Sequence, residues 1–526
     1  MRAIRQIAEH APGRATGRTP GRTPEHLSRP SPFRAILRAG QPPLRALLLP
    51  AGLALLVFLA HLPYLRLPYF WDELGQFVPA ALDIFHDGAW IPHSAVPNAH
   101  PPGVMAYLAL VWRIAGYSIA ATRSSMLALA AGAVVCTYFL ARELSGDRAP
   151  ALLAVAFLLL DPLFFTQSML AQLDIPAMLF TILSLLLFLK QRHAAAAAAC
   201  TALVLSKETG ALLPLIFFVA LYRDPARSKD AAYYLAPFAA LAIWFFALWR
   251  ATGHIFGDPG FTQYNTIYSL HPVRACVALL RRFYYLFIDD FRWIGSLAIL
   301  FAWKRSRLFS TRAWKIAGSF IAAHIVLVSL LGGAELERYL LPVLPLVYIA
   351  MGAALWLARP RWRYAGVAVL GSGLLAGLFL NPPFPFPYEN NLALVDFVDM
   401  HHAAARFLEK AYPGQTIYTA WPLTQALRNP AFGYVDHAMQ TAETSDLHFS
   451  TLNALDPRSV GVLVLYSRTW EPSWGITRWP PLRDFLSRYY EYEREMTPAE
   501  VRRHFGLTPI RRWEQHGQWI QIFARS

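Results

Sequence analysis

Long apolar runs separated by short polar connections set the rhythm of this chain. A bilayer-spanning helix needs about 20 apolar residues, and residues 44–64 supply the first such run. Residues 64–121 follow as a long connection. Within it, 75–85 and 102–115 are weakly amphipathic and too short or interrupted to span, as expected of helices lying in the membrane interface. From residue 122 the runs alternate quickly: 123–140, 149–165, 175–189, 194–206, 210–221, 231–249, 286–303, 314–331, 340–357 and 364–380. Two of them, 194–206 and 210–221, are short for a span. A second long connection covers 250–285.

The polar connections are not alike. Those at 142–148, 190–193, 222–229, 304–307 and 359–363 are rich in Arg and Lys, and such clusters mark cytoplasmic loops. Alternation then puts the N-terminus inside, the C-terminus outside, and 64–121 and 250–285 on the outer face. Residues 1–45 carry nine Arg against Glu9 and Glu25, with many Pro, Gly and Thr and no apolar period. They read as a disordered basic cytoplasmic tail.

After the Pro-rich stretch 381–387 the pattern changes. Residues 391–410 and 483–493 have helical periodicity, whereas 416–420, 460–466 and 518–523 read as short strands. The expected architecture is a polytopic α-helical membrane protein of about eleven spans with a small C-terminal α/β domain on the outer face. Its parts are a tail at 1–45, a membrane domain at 46–381 and an outer domain at 382–526.

Composition agrees with a membrane protein. Hydrophobic residues make up 56% of the chain and charged ones 15%, with mean hydropathy +0.33, whereas soluble domains are about a quarter charged. The net charge of +15 resides in the tail and inner loops, so it reports topology rather than nucleic-acid binding. Cys136, Cys200 and Cys276 are widely spaced and suggest neither a disulfide framework nor a thiolate metal site. No internal repeat, P-loop, GxGxxG, HExxH or CxxC pair occurs.

Charges at the outer ends of spans are the candidate chemistry, because an ionisable group there is costly unless it has a role. Asp72 and Glu73 follow the aromatic run Tyr69–Trp71, where a carboxylate can serve as base or metal ligand; the alternative is that Asp72 caps a helix beginning at Glu73. Asp174, before Ile175 and Pro176, is either a second site carboxylate or a helix N-cap. Lys207 breaks the positive-inside pattern and suits an anionic phosphate, unless it snorkels or pairs with Glu208. Arg338, followed by Tyr339, can hold a phosphate with two N–H groups or pair with Glu335 or Glu337. His100 enters a rigid turn with Pro101 and Pro102, and can bind phosphate, move a proton or ligate metal.

Taken together, the aromatic-AspGlu pair, the HisProProGly turn at 100–103, LeuAspIlePro at 173–176, LysGlu at 207–208 and ArgTyrLeuLeuProValLeuPro at 338–345 resemble the GT-C membrane glycosyltransferases. The resemblance is to the branch of protein O-mannosyltransferases and the lipid A aminoarabinose transferase, and it covers about 45–380. It implies Asp72 as the essential first-loop carboxylate with Glu73 beside it, and Asp174 as the second. It also implies that Lys207 and Arg338 hold the donor phosphate, with Glu208 and Tyr339 as neighbouring contacts. Some members have Lys where this chain has His100. The implied reaction moves a sugar, with inversion, from a polyprenyl-phosphate carrier to an extracytoplasmic protein, lipid or glycan. The expected location is the inner (plasma) membrane, with a periplasmic C-terminal domain and membrane lipid, not nucleic acid, as surroundings. No cofactor is implied with certainty; a divalent metal on Asp72, Glu73 and His100 is one option. A transporter or flippase of lipid-linked sugars, an oligosaccharide ligase and a membrane-anchored binding protein are the rival readings. Charges at outer ends rather than mid-span weigh against transport.

Overall fold

The computed structural model describes residues 44–470, 475 and 479–525. Residues Pro50–Ser526 form one compact unit, and of the other, Met1–Leu49, only the start of the helix Leu44–His61 is described. The basic tail expected at 1–45 thus lies outside the described residues apart from its last two positions.

Among the described residues four helices are long and apolar enough to cross a membrane: Ile119–Ser145, Ser228–Thr252, Arg312–Leu330 and Pro360–Phe379. Seven shorter apolar helices of 10–17 residues accompany them, so length and composition account for four spans rather than the expected eleven. The shortening has local causes. The run 149–165 is divided into Arg148–Leu160 and Pro162–Gln167 because Asp161, preceding a proline, leaves the helix and accepts Phe164 N–H at 2.8 Å. Its other oxygen takes Arg292 at 2.6 Å, with both side chains fully buried, so neither charge is left alone in an apolar setting. Likewise His193–Ser206 ends at Lys207, whose extended backbone precedes a short 3-10 turn, Glu208–Ala211.

The connection expected at 250–285 contains a helix, Pro272–Phe287. Its apolar residues Leu279, Leu280 and Phe283 are exposed. On another side Arg281 reaches Glu337 at 2.6 Å and Arg282 donates to Leu336 O at 2.6 Å. The arginines that hide this helix from a hydropathy reading are the groups that fasten it.

A five-stranded sheet lies near the C-terminus, in the order β2-β1-β3-β5-β4. Its strands are β1 Ile417–Ala420, β2 Thr441–Thr444, β3 Val462–Tyr466, β4 Thr508–Gln515 and β5 Gln518–Ala524. β1 runs parallel to β2 and β3, whereas β3–β5 and β5–β4 are antiparallel. β3 is buried throughout, as its sequence ValLeuValLeuTyr requires. β4 is mostly exposed and polar, the usual guise of an edge strand, and it joins β5 through His516 and Gly517, both with positive φ, the backbone of a tight hairpin. The helix Ala393–Ala411 packs on β4 and β5.

Specific contacts fasten this part to the first connection. Tyr434 OH donates to Tyr69 O at 2.8 Å, and Tyr117 OH donates to Ala431 O at 2.7 Å. A Cβ added at Gly75 would lie 2.4 Å from Trp421 Nε1, so only glycine allows the Trp421 ring to rest there.

Candidate functional site

The site is assembled where chain segments leave their helices. Trp71 has φ +49°, a rare conformation for a bulky residue, held by edge contacts of its ring with Trp421 at 5.1 Å and Phe397 at 5.9 Å. This bend sends the next two carboxylates in different directions. Asp72 is helical and caps nothing; its carboxylate pairs with the Arg338 guanidinium. Glu73 is fully buried against Arg123, with Oε1 2.5 Å from NH1 and Oε2 3.0 Å from NH2. Glu73 also accepts Phe70 N–H at 2.8 Å and Ala171 N–H at 2.6 Å. Its acceptor capacity is filled away from the cavity, which it does not line.

Asp174 opens the helix Asp174–Leu189 and likewise makes no cap. Its Oδ1 accepts from Lys207 Nζ at 2.6 Å, and its Oδ2 lies 3.4 Å from Arg338 Nε. Lys207 therefore pairs with Asp174 rather than with Glu208, and its ammonium lies 4.2 Å from the centre of the Tyr339 ring. Arg338 is the hub. Besides Asp72 and Asp174 it donates from NH1 to Glu389 Oε2 at 2.9 Å and to Gln172 Oε1 at 2.6 Å. The expected alternative partners, Glu335 and Glu337, are held by Arg281 instead, at 3.3 and 2.6 Å.

His100 shares a 2.8 Å contact with Glu208 through Nδ1 and meets the Phe261 ring edge-on at 5.4 Å. The turn after it is close-packed, since a Cβ at Gly103 would lie 2.4 Å from Leu205 O. The metal-binding option on Asp72, Glu73 and His100 is not assembled: Asp72 is paired with Arg338, Glu73 with Arg123 and His100 with Glu208. Among the described residues a mixed group with ligand-like spacing occurs elsewhere, at Asp83, Asp87 and His93.

Asp72, His100, Asp174, Lys207, Glu208, Arg338 and Tyr339 all line one cavity of about 1190 Å³. Its lining is mixed. The charged groups share it with apolar Phe245, Phe256, Phe261, Val328 and Leu331, and with Trp421, Arg468 and Trp519 from the C-terminal part. Arg468 lies 5.5 Å from the Trp71 ring centre.

Two polar contributors were not legible as site residues. Gln172 lies in the short connection before Asp174, and Glu389 lies between the Pro-rich stretch 381–387 and the helix expected at 391–410. Glu389 belongs to a 3-10 turn, Tyr388–Asn390, and burial pushes its carboxyl up to about 7 against the pull of Arg338. A lone Glu just beyond a span is the same signal that singled out Asp72, and the surrounding prolines obscured it.

Comparison with known proteins gives a partial match in sequence and a whole-chain match in fold. A family model described as dolichyl-phosphate-mannose-protein mannosyltransferase matches residues 102–206. Among curated proteins none matches. The crystal structure of ArnT from Cupriavidus metallidurans bound to undecaprenyl phosphate aligns with TM-score 0.52 and 13% identity, covering 91% of this chain and 98% of that one. Its apo form aligns with TM-score 0.51 and 14% identity over the same shares.

Proposed function

We propose that this chain, a member of the GT-C superfamily in its fold, is an integral-membrane glycosyltransferase that moves a sugar from a polyprenyl-phosphate carrier to an extracytoplasmic acceptor. One observation carries the reading: Asp72, Asp174, Lys207 and Arg338 meet in a cavity that Phe245, Phe256, Phe261, Val328 and Leu331 also line. A lipid-linked sugar phosphate likewise joins a charged phosphate to an apolar chain. Its first prenyl units would lie along Phe245, Phe256 and Phe261, and its phosphate against Lys207 and Arg338.

The resting pair of Asp72 and Arg338 suggests how binding primes the chemistry. A phosphate draws the guanidinium to itself through two N–H groups and leaves Asp72 free to accept a proton. The acceptor's O–H gives that proton to Asp72 while its oxygen attacks the anomeric carbon from the face opposite the phosphate. The carbon–phosphate-oxygen bond breaks, the configuration inverts, and the negative charge on the departing lipid phosphate is met by Lys207 and Arg338. His100 with Glu208, and Tyr339 against Lys207, line the same cavity and would orient the sugar phosphate. Glu73 acts in this reading by anchoring the loop through Arg123. The lining residues Trp421 and Arg468 belong to residues 382–526, read as a periplasmic domain placed to meet the acceptor. The N-terminus is cytoplasmic and the location is the inner (plasma) membrane.

The test is transfer by the full-length protein in liposomes offered a panel of radiolabelled polyprenyl-phosphate sugars, with and without chelator. Release of label from one donor to an acceptor supports the reading and identifies the sugar. Intact lipids moved between leaflets would replace it with transport.

A further inference from the structure

Glu389 is 2% exposed, and its two carboxylate oxygens are treated differently. Oε2 accepts from Arg338 NH1 at 2.9 Å, whereas Oε1 is buried without a hydrogen-bond partner among the described residues. The charged groups that act on it most strongly are Arg338, Asp72, Asp174 and Glu337. Glu337 is matched by Arg281, and Lys207 is engaged by Asp174. Three carboxylates, Asp72, Asp174 and Glu389, are thus left to share two cations, Arg338 and Lys207.

Their shares are unequal. Asp174 has Lys207 at 2.6 Å and Arg338 Nε at 3.4 Å. Asp72 has an NH2 contact of its own. Glu389 has only NH1, which Gln172 Oε1 approaches more closely, at 2.6 Å. Bringing in an anionic phosphate adds a further negative charge to a set that already carries one in excess, in which only Asp72 is half-buried and the rest are buried. Uncompensated buried charge is relieved by protonation of the least supported group, and Glu389 is that group.

We propose that Glu389 is a positioning residue of the donor-phosphate site: in its ionised form it steadies Arg338, and from that form it takes up one proton from solvent, on Oε1, when a lipid phosphate engages Arg338 and Lys207. The inference rests on the donor reading given above. Burial already places the Glu389 carboxyl at about 7, so the exchange falls in the physiological range. The sign follows directly. If the protonated form accompanies binding, affinity is full below that value and weakens above it, by about tenfold between pH 6 and pH 8.

The experiment measures binding of a polyprenyl methyl phosphodiester to the full-length protein in nanodiscs from pH 6 to pH 8. That probe keeps a single negative charge throughout and has no sugar to transfer. Dimethyl phosphate, with the same charge and no chain, is the parallel arm. Wild type is expected to lose about tenfold in affinity over this range and to take up close to one proton per ligand at the upper end, seen by calorimetry in buffers of different ionisation enthalpy. Glu389→Gln, which mimics the protonated form, is expected to bind at pH 6 as wild type does and to show neither the pH dependence nor the proton uptake. Its binding at pH 6 doubles as the folding control. A wild-type profile flat with pH, or one unchanged in E389Q, overturns the inference while leaving the donor reading in place. If dimethyl phosphate binds as tightly as the lipid, or if neither binds at any pH, the donor reading itself fails and takes this inference with it.

Discussion

Substituting Glu73 with Gln separates two adjacent carboxylates by their consequences. The change keeps the shape of the side chain and removes its charge. Arg123, fully buried, would then lose its anionic partner and keep neutral acceptors: one amide oxygen of the new side chain, with Pro68 O at 3.0 Å, Met169 O at 2.9 Å and Leu67 O at 3.3 Å. Removing one partner of a buried ion pair costs about 3–5 kcal/mol. The surviving carbonyl bonds place this case near about 3 kcal/mol. Smaller domains of 150–250 residues shift by about 2–4 °C per kcal/mol, so a loss of several degrees in detergent is expected for E73Q. Arg123→Gln should cost a similar amount, and the double variant should cost less than the sum, with a coupling on the order of 1–3 kcal/mol. The readouts are thermal unfolding of purified protein for all four forms, and transfer activity measured well below the unfolding range. If E73Q unfolds as wild type does and yet has lost all transfer, Glu73 rather than Asp72 belongs to the chemistry and the assignment of the pair is reversed.

Two further variants test the donor site and the join above it. Lys207→Met removes a charge-assisted contact of about 1.5–3 kcal/mol, so donor KM should rise by roughly tenfold or more; the unfolding temperature should also fall, because Asp174 keeps only Arg338 at 3.4 Å, and an unchanged KM in the folded variant would remove Lys207 from phosphate binding. Gly75→Val places side-chain atoms where Trp421 Nε1 would lie 2.4 Å from a new Cβ, so the Trp421 ring must shift. Transfer should drop several-fold with donor binding retained, and equal losses in both would show that the contact supports the donor side instead.

Much of the site was legible because the bilayer makes charge conspicuous. Asp72, Asp174, Lys207 and Arg338 each interrupt an apolar context, and all four face one cavity. The same reasoning does not say which way a side chain turns. Asp72 and Glu73 look alike in sequence and diverge because Trp71 adopts φ +49°, a property of three-dimensional packing against Phe397 and Trp421. Helix pairing also escaped it. Lys207 beside Glu208 suggests a local pair, and the ammonium reaches instead across to Asp174. The helix Pro272–Phe287 was concealed because its arginines lower the local hydropathy, although they are matched by Glu335, Glu337 and backbone carbonyls. β4 was missed because an exposed edge strand lacks alternation, whereas β1, β3 and β5 were found from their apolar runs. Glu389 is hidden because it follows closely on Pro382, Pro383, Pro385 and Pro387, where the pattern changes and no apolar run sets a charge apart.

The central claim, that Asp72 accepts the acceptor's proton, is tested most directly by comparing wild type and Asp72→Asn in single-turnover transfer from the donor that wild type uses, with donor binding measured on the same preparations. The account predicts that D72N binds the donor, unfolds at a temperature close to wild type and transfers no sugar. Transfer by D72N at a rate comparable to wild type would contradict it and move the base to another group in the cavity.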